Sequence, residues 1–270
     1  MESVTLVSGG WTAVWQGALA SLIAGSATGL GALPAFALRA LDPRTEDTLL
    51  SFAGGIMLAA TAFSLLLPGL DAATARTGSP LAGATVVAAG MLLGAAALWA
   101  VHGVLPHEHF IKGAENVGDR TVGRLWLVIF AIGLHNFPEG LAVGVGVGGD
   151  RSIGGTAGEA ITLGIAIQNM PEGLVVALAL LRLGYGRLAA VSVALLTGLV
   201  EPVGGLFGAL AVAFAEALLP WGLSFAAGAM LFVISGEIVP ETHRRGFETS
   251  ATFGLMIGFV TMMVVSQSFT

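Results

Sequence analysis

The sequence predicts an all-α integral membrane protein with eight transmembrane helices. Three observations support this prediction: the composition, eight long stretches almost without charge, and the sorting of the basic residues. Of 270 residues, 55% are hydrophobic and 10% are charged, whereas soluble domains carry about 25% charged residues. The formal net charge is -6 and no basic run occurs, which argues against nucleic-acid binding. With no cysteine, disulfides, thiolate zinc sites and iron–sulfur clusters are excluded. What remains is a polytopic protein whose main partner is the lipid bilayer.

The eight stretches are each long enough to cross a membrane, which takes about 20 mostly apolar residues. They form one polytopic domain over residues 1–270, and we number them spans one to eight. Their predicted helices cover about 11–39, 48–70, 80–104, 122–149, 157–182, 187–215, 218–240 and 248–268.

The basic residues are concentrated in alternate loops between these spans. Nine of the eleven lie in the odd-numbered loops, and the even-numbered loops hold only Arg76 and Arg151. Because cytoplasmic loops carry an excess of Lys and Arg, the odd loops are predicted to be cytoplasmic. Both termini are then predicted to lie outside the cytoplasm.

Spans four and five carry the same polar motif, 33 residues apart. It reads His135-Asn136-Phe137-Pro138-Glu139-Gly140 in span four and Gln168-Asn169-Met170-Pro171-Glu172-Gly173 in span five. Span six adds Glu201-Pro202. Ionisable residues inside a span are costly and indicate function.

Helical spacing gathers the polar residues of each motif on one face. His135 and Asn136 lie four and three positions before Glu139, and Gln168 and Asn169 stand in the same relation to Glu172. If the two faces meet, carboxylates bridge two neighbouring cations, and Glu201 completes one of the sites. Imidazole, carboxylate and amide ligands together suit a divalent metal such as Zn2+ better than Na+ or K+. The alternative is that protonated glutamates only join helices by hydrogen bonds.

At these residues the sequence resembles the ZIP (Zrt/Irt-like) family of divalent metal transporters, in particular its bacterial members. Pro240-Glu241-Thr242-His243 and the count of eight spans add to the resemblance. It implies a binuclear metal centre between spans four, five and six. The first site would be Met57, His135, Glu139, Gln168 and Glu172. The second would be Asn136, Glu139, Asn169, Glu172 and Glu201. Without the resemblance, Met57 is read as a core methionine.

Two further sites are expected along the path of the metal, and the resemblance implies the first of them. Glu237, alone or with Glu241 and His243, would lie near the cytoplasmic exit, although Gly236 stands where relatives often have His. At the outer end of span two, Ser64 and Asp71 mark an entrance where an acidic residue attracts cations.

Two further groups of polar residues lie in predicted loops. The loop after span three carries His102, His107 and His109, which either receive metal or belong to a solvated polar loop. Asp42, Glu46 and Asp47 are interpreted as ordinary loop charges.

Spans two and seven share a short segment. Residues 52–58 and 225–231 are identical at five of seven positions. Either this is chance similarity among Gly- and Ala-rich helices, or spans one to three and six to eight form inverted repeats. The family resemblance favours the repeats, in a 3+2+3 arrangement. It also implies an elevator mechanism in which spans one, four, five and six slide against the others.

The leading hypothesis is a transporter, not an enzyme, that moves Zn2+ into the cytoplasm by alternating access. Cd2+, Fe2+ and Mn2+ are further candidate substrates, and no organic cofactor is expected. The resemblance implies a multi-pass protein of the bacterial inner membrane and a homodimer.

One alternative is an intramembrane metal-dependent hydrolase, although no His-Glu-x-x-His occurs and one buried histidine is few for a hydrolytic zinc. The other is a proton-coupled carrier of an organic solute, which would not need amides beside each carboxylate.

Overall fold

The computed structural model describes residues 2–104, 107–109, 113–115, 124–149 and 157–268. Within that part, side chains are not described for residues 2–9, 102, 104, 107–109, 113–115, 124–134 and 157. Everything below refers to this part of the chain.

Eight long helices make up nearly all of the described structure. They are α1 (Glu2–Ala32), α2 (Pro43–Thr77), α3 (Pro80–Val104), α4 (Arg124–Gly148), α5 (Ala157–Arg182), α6 (Arg187–Phe214), α7 (Glu216–Thr242) and α8 (Glu248–Ser268). A 3-10 turn, Leu33–Phe36, extends α1, and α6 is interrupted between Gly198 and Glu201. Two short antiparallel strands, β1 (His107–His109) and β2 (Gly113–Glu115), follow α3.

Seven of these helices are long and apolar enough to cross a membrane. Their candidate spans are 21 to 35 residues long, as a hydrocarbon core about 30 Å thick requires. The seven do not include α4, which has 25 residues but whose side chains 124–134 lie outside the described set. The chain is therefore a multi-pass helical protein, and the count of eight spans stays a prediction.

Both α2 and α7 contain a π-helical segment. The segments are Ala60–Leu66 in α2 and Ile234–Ile238 in α7. Each ends two residues before a proline, Pro68 or Pro240, which cannot donate a backbone hydrogen bond to the turn before it. A wider turn accommodates that missing bond, and such π bulges are frequent at functional sites.

The helices pack in two groups. In one group, α1 packs along α5, α4 packs along α6, and α1 also contacts α6. In the other, α2 packs along α8 and α3 packs along α7. The groups meet chiefly where α2 contacts α5 and where α4 contacts α7.

Glycines allow the helices of the second group to approach until their backbones touch. At each of four glycines, an added Cβ would overlap a backbone carbonyl oxygen of the facing helix. The pairs are Gly55 with Leu255, Gly258 with Phe52, Gly228 with Met91, and Gly94 with Phe225. Small residues serve this purpose in membrane helices, because van der Waals contact replaces the hydrophobic effect there.

The interpretation of Glu46 and Asp47 as loop charges is wrong, because α2 begins at Pro43 and both residues lie buried in its first two turns. Arg182 donates to the two carboxylate oxygens of Glu46 at 2.7 and 2.9 Å. Arg245 lies 3.3 Å from Glu46 and 3.6 Å from Asp47. The two carboxylates thus tie the start of α2 to the end of α5 and to the connection between α7 and α8.

Asp42 is the N-cap of α2 and has a different role. Its carboxylate accepts from the Thr45 backbone N–H at 3.0 Å and from the Thr45 hydroxyl. The hydrogen bond from the hydroxyl, followed by that from the backbone, holds the pKa of Asp42 below its usual value. This cap satisfies a backbone donor that the first turn of α2 would otherwise leave free.

Replacing Gly228 by Ala is expected to destabilise the protein by about 1–3 kcal/mol, because α7 and α3 must move apart to admit the methyl group. The melting temperature of the detergent-purified protein measures this effect. Gly236→Ala is the control, because Gly236 lies on the same helix and no described atom of another helix comes within 4 Å of its added Cβ. Equal melting temperatures for the two variants would contradict the close contact.

Candidate metal centre

The polar side chains of the two repeated motifs meet Glu201 in the middle of the first helix group. Fully buried side chains from α4, α5 and α6 gather there: Asn136, Glu139, Gln168, Asn169 and Glu201. Helices α4 and α5 run without interruption through Pro138 and Pro171.

The glycine that ends each motif explains how the helices come close enough. An added Cβ on Gly140 would overlap the Glu201 carbonyl oxygen, and one on Gly173 would overlap the Thr28 carbonyl oxygen. Helix α6 therefore lies directly on α4, and α1 lies directly on α5. This close approach brings the glutamates into reach of side chains on neighbouring helices.

Amide groups from α5 donate to two of the carboxylates. The Gln168 Nε2 donates to Glu139 Oε1 at 2.6 Å. The Asn169 Nδ2 donates to Glu201 Oε1 at 2.6 Å and to the Ala24 backbone oxygen at 2.9 Å. One oxygen of each carboxylate is thus covered by a neutral amide.

The remaining polar atoms of the cluster are buried without a hydrogen-bond partner in the described part of the chain. They are Asn136 Oδ1 and Nδ2, Glu139 Oε2, Gln168 Oε1, Asn169 Oδ1 and Glu201 Oε2. Leaving such groups unpaired away from water costs free energy, and native proteins generally avoid it. Five unpaired oxygens in one place form a set of ligands suited to a cation.

His135 and Glu172 lie at the edge of this cluster, and both are only partly buried. Glu139 interacts electrostatically with Glu172 and Glu201. The His135 Nε2 lies 2.8 Å from Glu237 Oε2 in the π segment of α7. His135 therefore connects the cluster to the other helix group.

Met57 is buried in the largest hydrophobic cluster of the structure. It packs there among residues of α4 and α5, including Ala142 and Ile165. Both the core interpretation and the ligand interpretation of Met57 fit this position, and its role as a ligand stays a prediction.

The residues predicted for the entrance and the exit lie apart from the cluster, except Glu237. Ser64 is buried with its Oγ 3.3 Å from Ser266 Oγ, and Asp71 is exposed. At the other end, Glu241 lies 4.0 Å from Arg244. Both ring nitrogens of His243 lie within hydrogen-bond distance of groups in its own surroundings, Nδ1 of the Val239 oxygen and Nε2 of the Thr252 hydroxyl.

The side chains of His102, His107 and His109 lie outside the described residues. Across the side chains that are described, no group of three or more His, Asp or Glu residues is arranged to hold a metal ion. The cluster in the first helix group mixes carboxylates with amides instead, so its potential ligands are of two chemical kinds.

The spacing of the motifs did not indicate two features of the site. The contact of His135 with Glu237 joins residues 102 positions apart, and no helical period relates them. The carbonyl of Ala24 and the buried Thr28 bring α1 into the centre, although neither carries a charge that marks it in the sequence.

Comparison with known proteins places these motifs in a family. Residues 101–266 match the family described as ZIP Zinc transporter. Over 252 residues the chain is 47% identical to the zinc transporter GufA of Myxococcus xanthus, covering 93% of this chain and 98% of that protein. It is 50% identical over 245 residues to the zinc transporter ZIPB of Bordetella bronchiseptica, covering 90% of this chain and 78% of that protein. It is also 30% identical to the human zinc transporter ZIP11, covering 94% and 97% of the two chains.

Proposed function

The chain belongs to the ZIP zinc transporter family, and on that premise we propose that it carries Zn2+ into the cytoplasm through a binuclear centre between α4, α5 and α6. The observation that carries the proposal is the set of five buried, unpaired oxygens on Asn136, Glu139, Gln168, Asn169 and Glu201. A divalent cation compensates their burial, because it binds oxygens that have no hydrogen-bond donor.

The two amide donors give the centre a way to exchange partners. In the present conformation, Gln168 and Asn169 donate N–H groups to Glu139 and Glu201. Rotation of each amide would turn its oxygen toward a cation and free the carboxylate oxygen that it now covers. The amides thus stabilise the carboxylates by hydrogen bonds between loads, when no cation is bound.

The proposed ligands divide into two sites that share two bridging carboxylates. The first site is Met57, His135, Glu139, Gln168 and Glu172. The second is Asn136, Glu139, Asn169, Glu172 and Glu201. The electrostatic interaction of Glu139 with both Glu172 and Glu201 supports this sharing.

In the proposed alternating access, the two helix groups move relative to each other. The glycine contacts of α2 with α8 recur between α7 and α3, at equivalent positions of the two predicted repeats. The π segments of α2 and α7 recur in the same way. These matched features support inverted repeats of helices 1–3 and 6–8. They also support an elevator movement of the group α1, α4, α5 and α6 against the other four helices.

The sorting of Lys and Arg supports cytoplasmic odd-numbered loops and both termini outside. Movement toward the cytoplasm is proposed from the family resemblance. The bacterial relatives support an inner-membrane location. Because the matched relatives are named zinc transporters, Zn2+ stands before Cd2+, Fe2+ and Mn2+ as the proposed substrate. A homodimer is proposed from the family resemblance.

Metal uptake into liposomes that contain only the purified chain tests this function. We expect Zn2+ entry above that of protein-free liposomes. Absence of flux for Zn2+, Cd2+, Fe2+ and Mn2+ at several pH values would refute the proposal. Metal-dependent hydrolysis without flux would favour the intramembrane hydrolase, and metal-independent solute uptake driven by a proton gradient would favour the organic-solute carrier.

Glu139→Gln is expected to remove both bound metals and to reduce Zn2+ flux more than about 100-fold. The reason is that loss of a side chain that only hydrogen-bonds to a metal ligand already lowers metal affinity or activity about 10–100-fold, and a bridging ligand contributes more. Glu159→Gln, at an exposed acidic residue in the first turn of α5, is the control and should transport like the unchanged protein. Retention of two tightly bound metals in Glu139→Gln, measured by calorimetric titration, would rule out the bridging role.

Glu201→Gln is expected to weaken only the second metal, because Glu201 belongs to one of the two sites. The titration should then show one tight metal in place of two. Loss of both metals in this variant would show that the sites are not separable in the proposed way.

A further inference from the structure

Thr28 is a buried threonine of α1 whose hydroxyl has no partner. Its side chain is fully buried, and Oγ1 makes no hydrogen bond within the described residues. A threonine inside a helix ordinarily donates to the carbonyl four residues earlier. Here that carbonyl belongs to Ala24, and it accepts from the metal-centre amide Asn169 instead. The hydroxyl of Thr28 therefore remains available beside the centre.

The backbone contacts of Thr28 repeat those of Glu201. The Thr28 carbonyl lies against Gly173 of α5, and the Glu201 carbonyl lies against Gly140 of α4. Thr28 and Glu201 are 173 positions apart, the same offset that relates residues 52–58 to 225–231. Gly140 and Gly173 differ by the 33 positions that separate the two motifs.

Two further glycine contacts obey the same relation. An added Cβ on Gly31 would overlap the Met170 carbonyl, and one on Gly204 would overlap the Phe137 carbonyl. Gly31 and Gly204 are again 173 positions apart, and Phe137 and Met170 are 33 apart. Thr28 is thus the structural counterpart of Glu201 in the other repeat.

The side chains of the two residues also occupy matching places. Helices α1 and α6 cross at Gly25 and Gly198, where each glycine faces the carbonyl of the other. The Glu201 Cβ lies 3.3 Å from a Cβ built on Gly25, and the Thr28 Cβ lies 2.9 Å from one built on Gly198. Both side chains therefore enter the same helix crossing from opposite sides.

Asn136 completes the comparison. Glu201 accepts a hydrogen bond from Asn169 of α5, and the counterpart of Asn169 on α4 is Asn136. Asn136 is fully buried, and both polar atoms of its side chain lack a partner within the described residues. Thr28 corresponds to Glu201 and Asn136 corresponds to Asn169. The repeat therefore pairs Thr28 with Asn136 as Glu201 is paired with Asn169.

We propose that the Thr28 hydroxyl is a further binding residue for the transported divalent cation, acting with the Asn136 amide oxygen opposite Glu201. The proposal rests on the function proposed above, because it concerns the same centre. It assigns an oxygen ligand to α1, a helix that the two metal sites otherwise leave without one.

The different chemistry of Thr28 and Glu201 explains why a neutral residue stands at position 28. A carboxylate in place of Thr28 would be the fourth in the site, after the three glutamates. It would add negative charge there and would hold a divalent cation more tightly. A hydroxyl offers lone pairs without charge. The centre thereby binds strongly on the Glu201 side and weakly on the Thr28 side, which favours release of the cation.

Thr28→Val tests this role, since valine keeps the shape of threonine and removes only the hydroxyl. We expect the Zn2+ concentration for half-maximal flux to rise about five- to tenfold, as befits one lost polar contact. Titration with Zn2+ should show weakening of one of the two metals. Thr28→Ser, which restores the hydroxyl, should stay within about twofold of the unchanged protein. Ser21→Ala is the control, because the Ser21 hydroxyl is also buried on α1 but donates within its own helix to Gly17 at 2.8 Å.

The outcomes separate this inference from the proposed function. Absence of Zn2+ flux in the unchanged protein overturns the function itself. Normal flux with unchanged half-saturation and two tight metals in Thr28→Val overturns the role of Thr28 alone. Equal losses in Thr28→Val and Thr28→Ser also overturn it, since they would trace the effect to side-chain shape. The melting temperatures of all three variants identify any loss that comes from misfolding.

Discussion

Direct contact between helix backbones at glycines determines how closely the helices pack and which side chains can meet. At Gly140 and Gly173 no side chain stands between α4 and α6 or between α5 and α1. The glycine follows the glutamate of each motif, so the closest approach of the helices lies beside the carboxylate. Membrane helices gain little from the hydrophobic effect against one another, and close packing of this kind takes its place. The glycines that allow this packing are therefore adjacent in sequence to the glutamates of the proposed metal centre.

This packing has a consequence for the polar groups. Once the helices touch, Glu139 and Glu201 are sealed from the surroundings, and each receives only one amide hydrogen bond. The oxygens left over cannot be satisfied by water in a bilayer core, where unsatisfied polar groups are expensive. The close helix contacts that bury these oxygens also hold them in place, so the favourable packing offsets the cost of leaving the oxygens unpaired. In the proposed function a cation would supply the missing partner, so the unfavourable burial of these oxygens and the proposed affinity for metal would have one physical origin.

The sequence predicts the parts of this arrangement that follow from spacing within one helix. The motif of α4 recurs 33 residues later in α5, and three- and four-residue intervals put its polar groups on one face. Contacts between distant helices leave no such signal, and the pairing of His135 with Glu237 emerges only from the packing of α4 on α7. The sequence does not indicate the position of Thr28 either, because threonines are ordinary in apolar helices and carry no charge. The burial of Glu46 and Asp47 leaves no signal in the sequence, because it depends on arginines that are distant along the chain. Arg182 and Arg245 pair with Glu46, and Arg245 also lies beside Asp47.

The ion pairs of Glu46 have a bearing on any movement between the two helix groups. Glu46 belongs to α2, and Arg182, which binds both of its oxygens, belongs to α5. These helices lie in different groups, so sliding one group against the other must stretch or break this bidentate pair. Arg245, from the same side as α2, also contacts Glu46 and would remain beside the carboxylate when Arg182 departs. In such a movement the second arginine would keep the buried carboxylate paired, so separation of the groups would not leave Glu46 isolated, which would be the most costly arrangement.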